Sequence, residues 1–202
     1  MQPDRTRAAQ EALFCEATLA KSGDNVLLET LRGAETIKAW SHYPAGDVFD
    51  PESGAQWYYH CHDPQSEQEH GHFHCFVRPD GAKGPIHHLI AVGVDPYGKL
   101  VRLFSVNQWV VGDDWADAAK TVDLLERFDV QMGRPSYLVN RWLTAIIALY
   151  QEEIADLIRQ RDEVVAGLSA VGPDAARADR TLEVASELTV DLSAKAKAIL
   201  AN

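Results

Sequence analysis

The 202-residue sequence contains only three cysteines, no run of basic residues and no apolar stretch long enough to cross a bilayer. Each scarcity excludes something. Cys15, Cys61 and Cys75 are an odd count in a chain without an export signal, so free thiols are expected rather than a disulfide framework. Nineteen basic residues lie scattered among thirty acidic ones, for a formal charge of −11, which argues against nucleic acid and anionic membrane surfaces as partners. The longest apolar run, Leu143 to Tyr150, is interrupted by Thr144 and is far too short for a membrane span. The first twenty residues mix charges with alanines and never build the apolar core of a signal peptide, so a cytoplasmic protein is expected. There is neither a solenoid-type repeat nor a low-complexity linker, and 46% apolar with 24% charged residues is ordinary for a globular chain. One domain over residues 1–202 is the expectation.

Residue spacing divides that domain into four parts. Ala9, Leu13, Phe14, Ala17 and Ala20 recur at three- and four-residue intervals, which predicts a helix from about Pro3 to Ala20. A short second helix over 26–32 ends at Gly33, so residues 1–33 read as a helical start. Residues 34–55 read as a loop, because two prolines, two glycines and two aspartates crowd 40–54, and its aromatics suggest that it packs on something. Segments 56–62, 71–78, 86–94 and 99–111 are rich in β-branched and aromatic residues between turn signals such as Asp95-Pro96-Tyr97-Gly98, which predicts a four-stranded antiparallel meander over 56–111. Residues 113–201 read as helical: 113 to about 128, an unbroken stretch from about Pro135 to Leu168, and 174–200 after the break at Gly172-Pro173. The long apolar stripe after Pro135 is explained by packing on the protein's own sheet or by a homodimer through the C-terminal helices. The expected fold class is α+β: a small antiparallel β-meander carrying a His-rich hairpin, packed with N-terminal helices and long C-terminal helices.

Against the scarcities stands one excess. Five of the eight histidines fall between His60 and His74, where an even spread would place fewer than one. In a strand, residues two apart share a face, so His60 and His62 lie with Tyr58, and His70, His72 and His74 with Phe76. Tyr59, Cys61, Phe73, Cys75 and Val77 take the opposite face. The connecting loop 63–69 is polar except at Pro64. An even pairing sum, such as His62 opposite His72 and His60 opposite His74, projects all four imidazoles from one face and gathers the apolar alternates on the other; an odd sum would separate them. Amphipathicity selects the even register. Opposed Cβ atoms about 4.5–5.5 Å apart let imidazoles converge on one ion at about 2.0–2.1 Å.

His60, His62, His72 and His74 are therefore the candidate metal ligands, against the alternative of a polar ladder that binds nothing. Glu67, Glu69 and His70 at the loop mouth are candidates for acid–base catalysis or for completing the coordination; a solvated acidic loop is the plain alternative. Tyr58 and Phe76 are candidates for lining a cofactor or substrate pocket, or simply pack on the sheet. His42, His87 and His88 stay open, since alternation sends only one of His87 and His88 to the imidazole face. A set of imidazoles without thiolate fits iron, copper, manganese, nickel or a catalytic zinc better than a Cys-rich structural zinc, with iron favoured.

The segment Gly54, His60-Cys61-His62 and Glu67 resembles the first metal-binding motif of the cupins, whose fold supplies histidines and a glutamate to iron or manganese. The match covers only 54–67, His74 stands where a glycine is expected, and no second motif follows, so the likeness reads as local convergence. Gly46-Asp47-Val48-Phe49-Asp50, Gln56-Trp57-Tyr58-Tyr59-His60-Cys61-His62 and Gly71-His72-Phe73-His74-Cys75-Phe76 together resemble an uncharacterised group of bacterial proteins of about this length. That resemblance implies no activity.

Three functions follow as expectations. The first is a non-haem metalloenzyme acting on a small molecule, with oxygen-activating iron or copper ahead of a zinc hydrolase. The second is a non-catalytic metal or haem carrier or sensor. The third is a partner-binding protein whose histidines sense pH.

Overall fold

The computed structural model describes residues 4–168 and 172–201, so Pro3, where the first predicted helix begins, and residues 169–171, just past the long predicted helix, lie outside the described residues. The first helix, α1 (Arg5–Ala20), begins where the Asp4 carboxylate accepts the Arg7 N–H at 3.0 Å, and α2 (Val26–Thr30) is capped by Asn25 in the same way.

Six strands form one antiparallel sheet in sequence order: β1 (Tyr43–Phe49), β2 (Ala55–His60), β3 (Gly71–Val77), β4 (His87–Val94), β5 (Leu100–Val106) and β6 (Val184–Thr189). The α+β expectation holds, with eight helices among the described residues and a sheet two strands wider than the predicted meander. Both additions are edge strands. β1 falls in the segment read as loop, and its register shifts between Tyr43 and Val48, where Gly46 and Asp47 adopt positive φ. Only an unpaired outer edge tolerates Pro44 and such a bulge within a strand. β6 falls in the segment read as helix, and the outer position leaves it mostly exposed, without the apolar alternation that marks a half-buried strand.

Three further boundaries differ from expectation for local reasons. β5 stops at Val106 because the Asn107 side chain accepts the Gln108 N–H at 2.9 Å and starts α3 (Gln108–Val111). The next helix, α4 (Ala118–Leu125), is capped by Asp117, while the Asp113 and Asp114 carboxylates instead accept the backbone N–H groups of His88 and Ile86. The long C-terminal helix is two helices, α5 (Tyr137–Leu149) and α6 (Gln151–Gly167), parted at Tyr150, where no proline or glycine marks the break. α7 (Pro173–Arg177) and α8 (Leu192–Leu200) complete the chain.

α1 and α5 pack on one face of the sheet, while Val110 and Val111 of α3 pack against Phe104 and Val106 on the other. Trp57, Tyr59, Phe73, Cys75, Ile90, Val92 and Leu103 point from the first face into the main core with Val139, Trp142, Leu143 and Ile146 of α5. Trp57 Nε1 donates to Asn140 Oδ1 at 2.9 Å, and the Phe73 and Trp142 rings lie 6.0 Å apart. The apolar stripe of α5 is thus consumed within the chain. No helix among the described residues is long and apolar enough to cross a membrane.

Candidate metal centre

The histidines occupy the other face. β2 and β3 pair with His60 opposite His72 and Tyr58 opposite His74, two residues displaced from the expected partners but with the same even parity. Parity alone decides the face, so the imidazoles stay together and Cys75 stays in the core behind them. His62 lies just beyond the end of β2 and reaches the same cluster, its ring 5.1 Å from those of both His60 and His72.

His60 and His72 approach tip to tip, Nε2 to Nε2, at 2.8 Å. Each of His60, His62 and His72 offers a ring nitrogen within 4.8 Å of the others, so the three can hold a metal ion. His60 and His72 are buried and His62 is exposed. Two imidazole nitrogens that share an ion at about 2.0–2.1 Å each sit roughly 3 Å apart, which is the spacing seen. His72 Nδ1–H donates to Glu69 Oε1 at 2.9 Å; since a carboxylate only accepts, this fixes the tautomer that leaves the Nε2 lone pair aimed at His60.

Glu69 is itself held. Arg102 donates to it from Nε at 2.8 Å and from Nη2 at 3.1 Å. Burial pushes the Glu69 carboxyl up, but the hydrogen bonds from His72 and Arg102 outweigh it and keep the group below the usual carboxylate range. The carboxylate lies across Gly93, the residue paired with His72 on β4, where a Cβ would stand 2.5 Å from Glu69 Oε2. Burial, then the neighbouring His72 and His62, holds His60 down at about 3, and burial first also lowers His62 and His74. These imidazoles are neutral at ordinary pH, the state a metal needs. Burial raises the Cys61 and Cys75 thiols, so neither is a ready thiolate.

The remaining sequence candidates are distributed unequally. His74 lies inside the cluster, its ring 5.0 Å from His60 and 4.8 Å from His72. Tyr58 and Phe76 flank His74 at 5.2 and 6.2 Å between ring centroids, and stack on each other at 5.6 Å. His70 turns away: its Nδ1 is 2.6 Å from Tyr59 Oη, where Gly71 leaves space for that hydroxyl. Glu67 is exposed beside Pro96 and Tyr97, away from the imidazoles.

A bulge settles the choice between His87 and His88. β3 and β4 pair with Cys75 opposite Ile90 but Phe76 opposite His88, so β4 carries one extra residue. That residue shifts the parity and turns His88 onto the imidazole face, with its Nε2 3.0 Å from His74 Nδ1. Without the bulge, His87 would face the cluster.

Sequence reasoning did not single out Trp40, Arg102 or Gly93. The Trp40 indole stacks on the His62 imidazole with centroids 4.0 Å apart and planes 21° apart, and the Trp40 backbone N–H donates to the Cys61 carbonyl. Beside it His42 stacks on Tyr58 at 3.6 Å and donates through Nδ1 to Asp47 at 2.9 Å. The aromatics of the 40–54 segment were the available signal. Arg102 and Gly93 had none, since both depend on cross-strand pairing. A cavity of about 200 Å³ opens on His62 and His72, walled by Glu69, Arg102, Phe104 and Val184.

No curated protein and no solved structure matches the chain. A family model described as a domain of unknown function, DUF6969, matches residues 6–190, in line with the resemblance to an uncharacterised group. The chain is a member of the DUF6969 family of domains of unknown function.

Proposed function

We propose that this chain is a non-haem metalloenzyme that acts on a small molecule, using iron or copper held by His60, His62 and His72. The carrying observation is the 2.8 Å approach of the His60 and His72 Nε2 atoms, with the His72 tautomer set by Glu69 and the third nitrogen supplied by His62. Three neutral imidazoles leave a divalent ion strongly Lewis acidic and redox-active if it is iron or copper. The cavity on His62 and His72 supplies the open side, and its volume of about 200 Å³ suits a small molecule.

Redox chemistry is favoured over hydrolysis by the state of the two glutamates of the loop mouth. Hydrolytic zinc centres commonly pair the metal-bound water with a carboxylate free to take its proton. Of the two glutamates of the loop mouth, Glu69 is committed to His72 and Arg102 and Glu67 is outside the cluster, so a hydrolytic reading would have to use Glu183, which lines the cavity with His62. Glu69 is thus a positioning residue for His72. Tyr58 and Phe76 form the aromatic wall behind His74 and exclude water from the inner side.

Elemental analysis of the purified protein and of His60→Ala and His72→Ala variants tests the centre, and oxygen uptake with a panel of small phenols, thiols and amines tests the chemistry. Iron or copper in the wild type that falls in both variants is expected, together with uptake that follows metal content. A protein free of metal whose melting temperature ignores added divalent ions would overturn the reading. Zinc at full occupancy without oxygen uptake would overturn its redox part.

A further inference from the structure

His74 and His88 lie deeper on the same face than the three histidines at the cavity, and are 1% and 3% exposed. Their nearest ring nitrogens, His74 Nδ1 and His88 Nε2, are 3.0 Å apart. The other nitrogen of His74, Nε2, is buried and has no hydrogen-bond partner. No choice of tautomers repairs this. If His74 Nδ1 carries the proton and donates to His88, then His74 Nε2 is a bare lone pair with no donor. If His88 Nε2 donates instead, His74 Nε2–H is a buried donor with no acceptor. An orphaned buried polar atom carries its desolvation penalty with nothing to offset it. Moreover, the pair exists only because a β-bulge re-aims His88, and bulges of this kind are common beside functional sites.

We propose that His74 and His88 form a second, inner site for a divalent first-row transition ion, so that the imidazole face holds two ions. The 3.0 Å spacing of the two nitrogens matches that of ligands on one ion, as at His60 and His72. With the inner ion on Nδ1, His74 Nε2 is relieved when its proton leaves to solvent and it ligates the outer ion, making the ring a bridging imidazolate; the His60 and His72 rings lie 5.0 and 4.8 Å from it. Both ligands are imidazole and the nearest thiol, Cys75, is in the core on the other side of the strand, which selects an ion that accepts nitrogen ligands: copper, iron, nickel or zinc. The charge of the ion has partial compensation nearby. The Asp113 carboxylate accepts the backbone N–H of His88 at 2.9 Å, and the positive charge of Arg161 is engaged by Asp162 and by the Ala116 carbonyl. An orphaned nitrogen alone does not make a site: His87 Nε2 is also unpartnered, but no second imidazole faces it, and it is left out of the proposal.

The inner site does not depend on the outer one, and the test separates them. Metal-free protein is dialysed against cobalt(II) or copper(II), and the ions retained per chain are counted for the wild type, His62→Ala and His88→Gln. Two ions in the wild type and one in each variant are expected. One ion lost with His62→Ala but kept in His88→Gln overturns the inner site and leaves the outer reading standing. One ion kept in His62→Ala but lost in His88→Gln supports the inner site while overturning the outer. No retained ion overturns both. The copper-loaded wild type supplies a readout that needs no substitution: two copper ions on neighbouring imidazoles give a magnetically coupled spectrum, and an uncoupled single-copper spectrum overturns the proposal.

Discussion

β2 and β3 send alternate residues to two faces of one sheet, and the faces differ in everything but burial. Trp57, Tyr59, Phe73 and Cys75 on one side and Tyr58, His60, His72, His74 and Phe76 on the other are all buried. On the first, burial removes apolar surface against α5, a contribution of about 1.5–3 kcal/mol for each large side chain. On the second, it desolvates imidazoles that satisfy one another only in part and leave His74 Nε2 without a partner. Equal exposure therefore conceals opposite energetics. The apolar face stabilises the fold, while the imidazole face is a liability that a bound ion would relieve.

The largest test of that contrast is truncation on the apolar face. Phe73→Ala should lower the unfolding free energy by about 3–5 kcal/mol, by lost transfer energy and a cavity against Trp57 and Trp142. Metal affinity of the folded variant should stay within roughly threefold of the wild type. Chemical denaturation with and without metal reads both quantities, and an affinity loss as large as the stability loss would show that the faces are not separable.

Protonation tests the other face. His60 and His88 are both held down at about 3, chiefly by burial, against about 6.5 in an unfolded chain. Between these values the unfolded metal-free protein binds more protons than the folded one, so stability is full above about pH 6.5 and declines as the pH falls toward 3. Each histidine adds a slope of about 1.4 kcal/mol per pH unit, and the pair about 2.7. Urea midpoints of metal-free protein at pH 7.5, 6.5 and 5.5 measure it. A flat profile would mean that these imidazoles accept protons in the folded state without penalty, and the contrast between the faces would collapse.

The apolar face was legible from residue order because alternation is local: Tyr59, Phe73, Cys75 and Val77 needed only a period of two. Parity likewise placed His60, His72 and His74 together without the true register. What stayed hidden depended on pairing with distant strands. The extra residue in β4 that turns His88 inward leaves no local mark, and Arg102 reaches Glu69 only because β5 lies beside β4. β6 was hidden for the opposite reason, since an exposed edge strand lacks the alternation by which a strand is recognised. Glu69 was visible as a residue near the metal, but its commitment to His72 and Arg102 was not.

Gly93→Ala sharpens the comparison on a smaller scale. The new Cβ would stand 2.5 Å from Glu69 Oε2, so the carboxylate must move while His72 and Arg102 hold it in place. Loss of an orienting carboxylate behind a ligating histidine weakens metal binding by about 10–100-fold. Equilibrium dialysis should show that loss, with the apolar face and the unfolding slope in denaturant unaffected. Unchanged affinity would mean that the Glu69 bond does not orient His72.

Trp40 offers the smallest effect and the finest distinction. It is 62% exposed and held at a φ of +67°, a conformation that a bulky side chain adopts at a cost of about 1–2 kcal/mol. The stack on His62 returns about 0.5–1.5 kcal/mol. Trp40→Gly removes both terms, so stability should change by less than about 1 kcal/mol. Metal affinity should fall a few-fold all the same, because His62 is the exposed ligand and the indole is what fixes its ring. Trp40→Asn, which tolerates the same φ but cannot stack, should behave like the glycine variant. A loss of stability without a loss of affinity would make Trp40 an ordinary loop anchor, whereas the reverse assigns the strained backbone to holding a ligand.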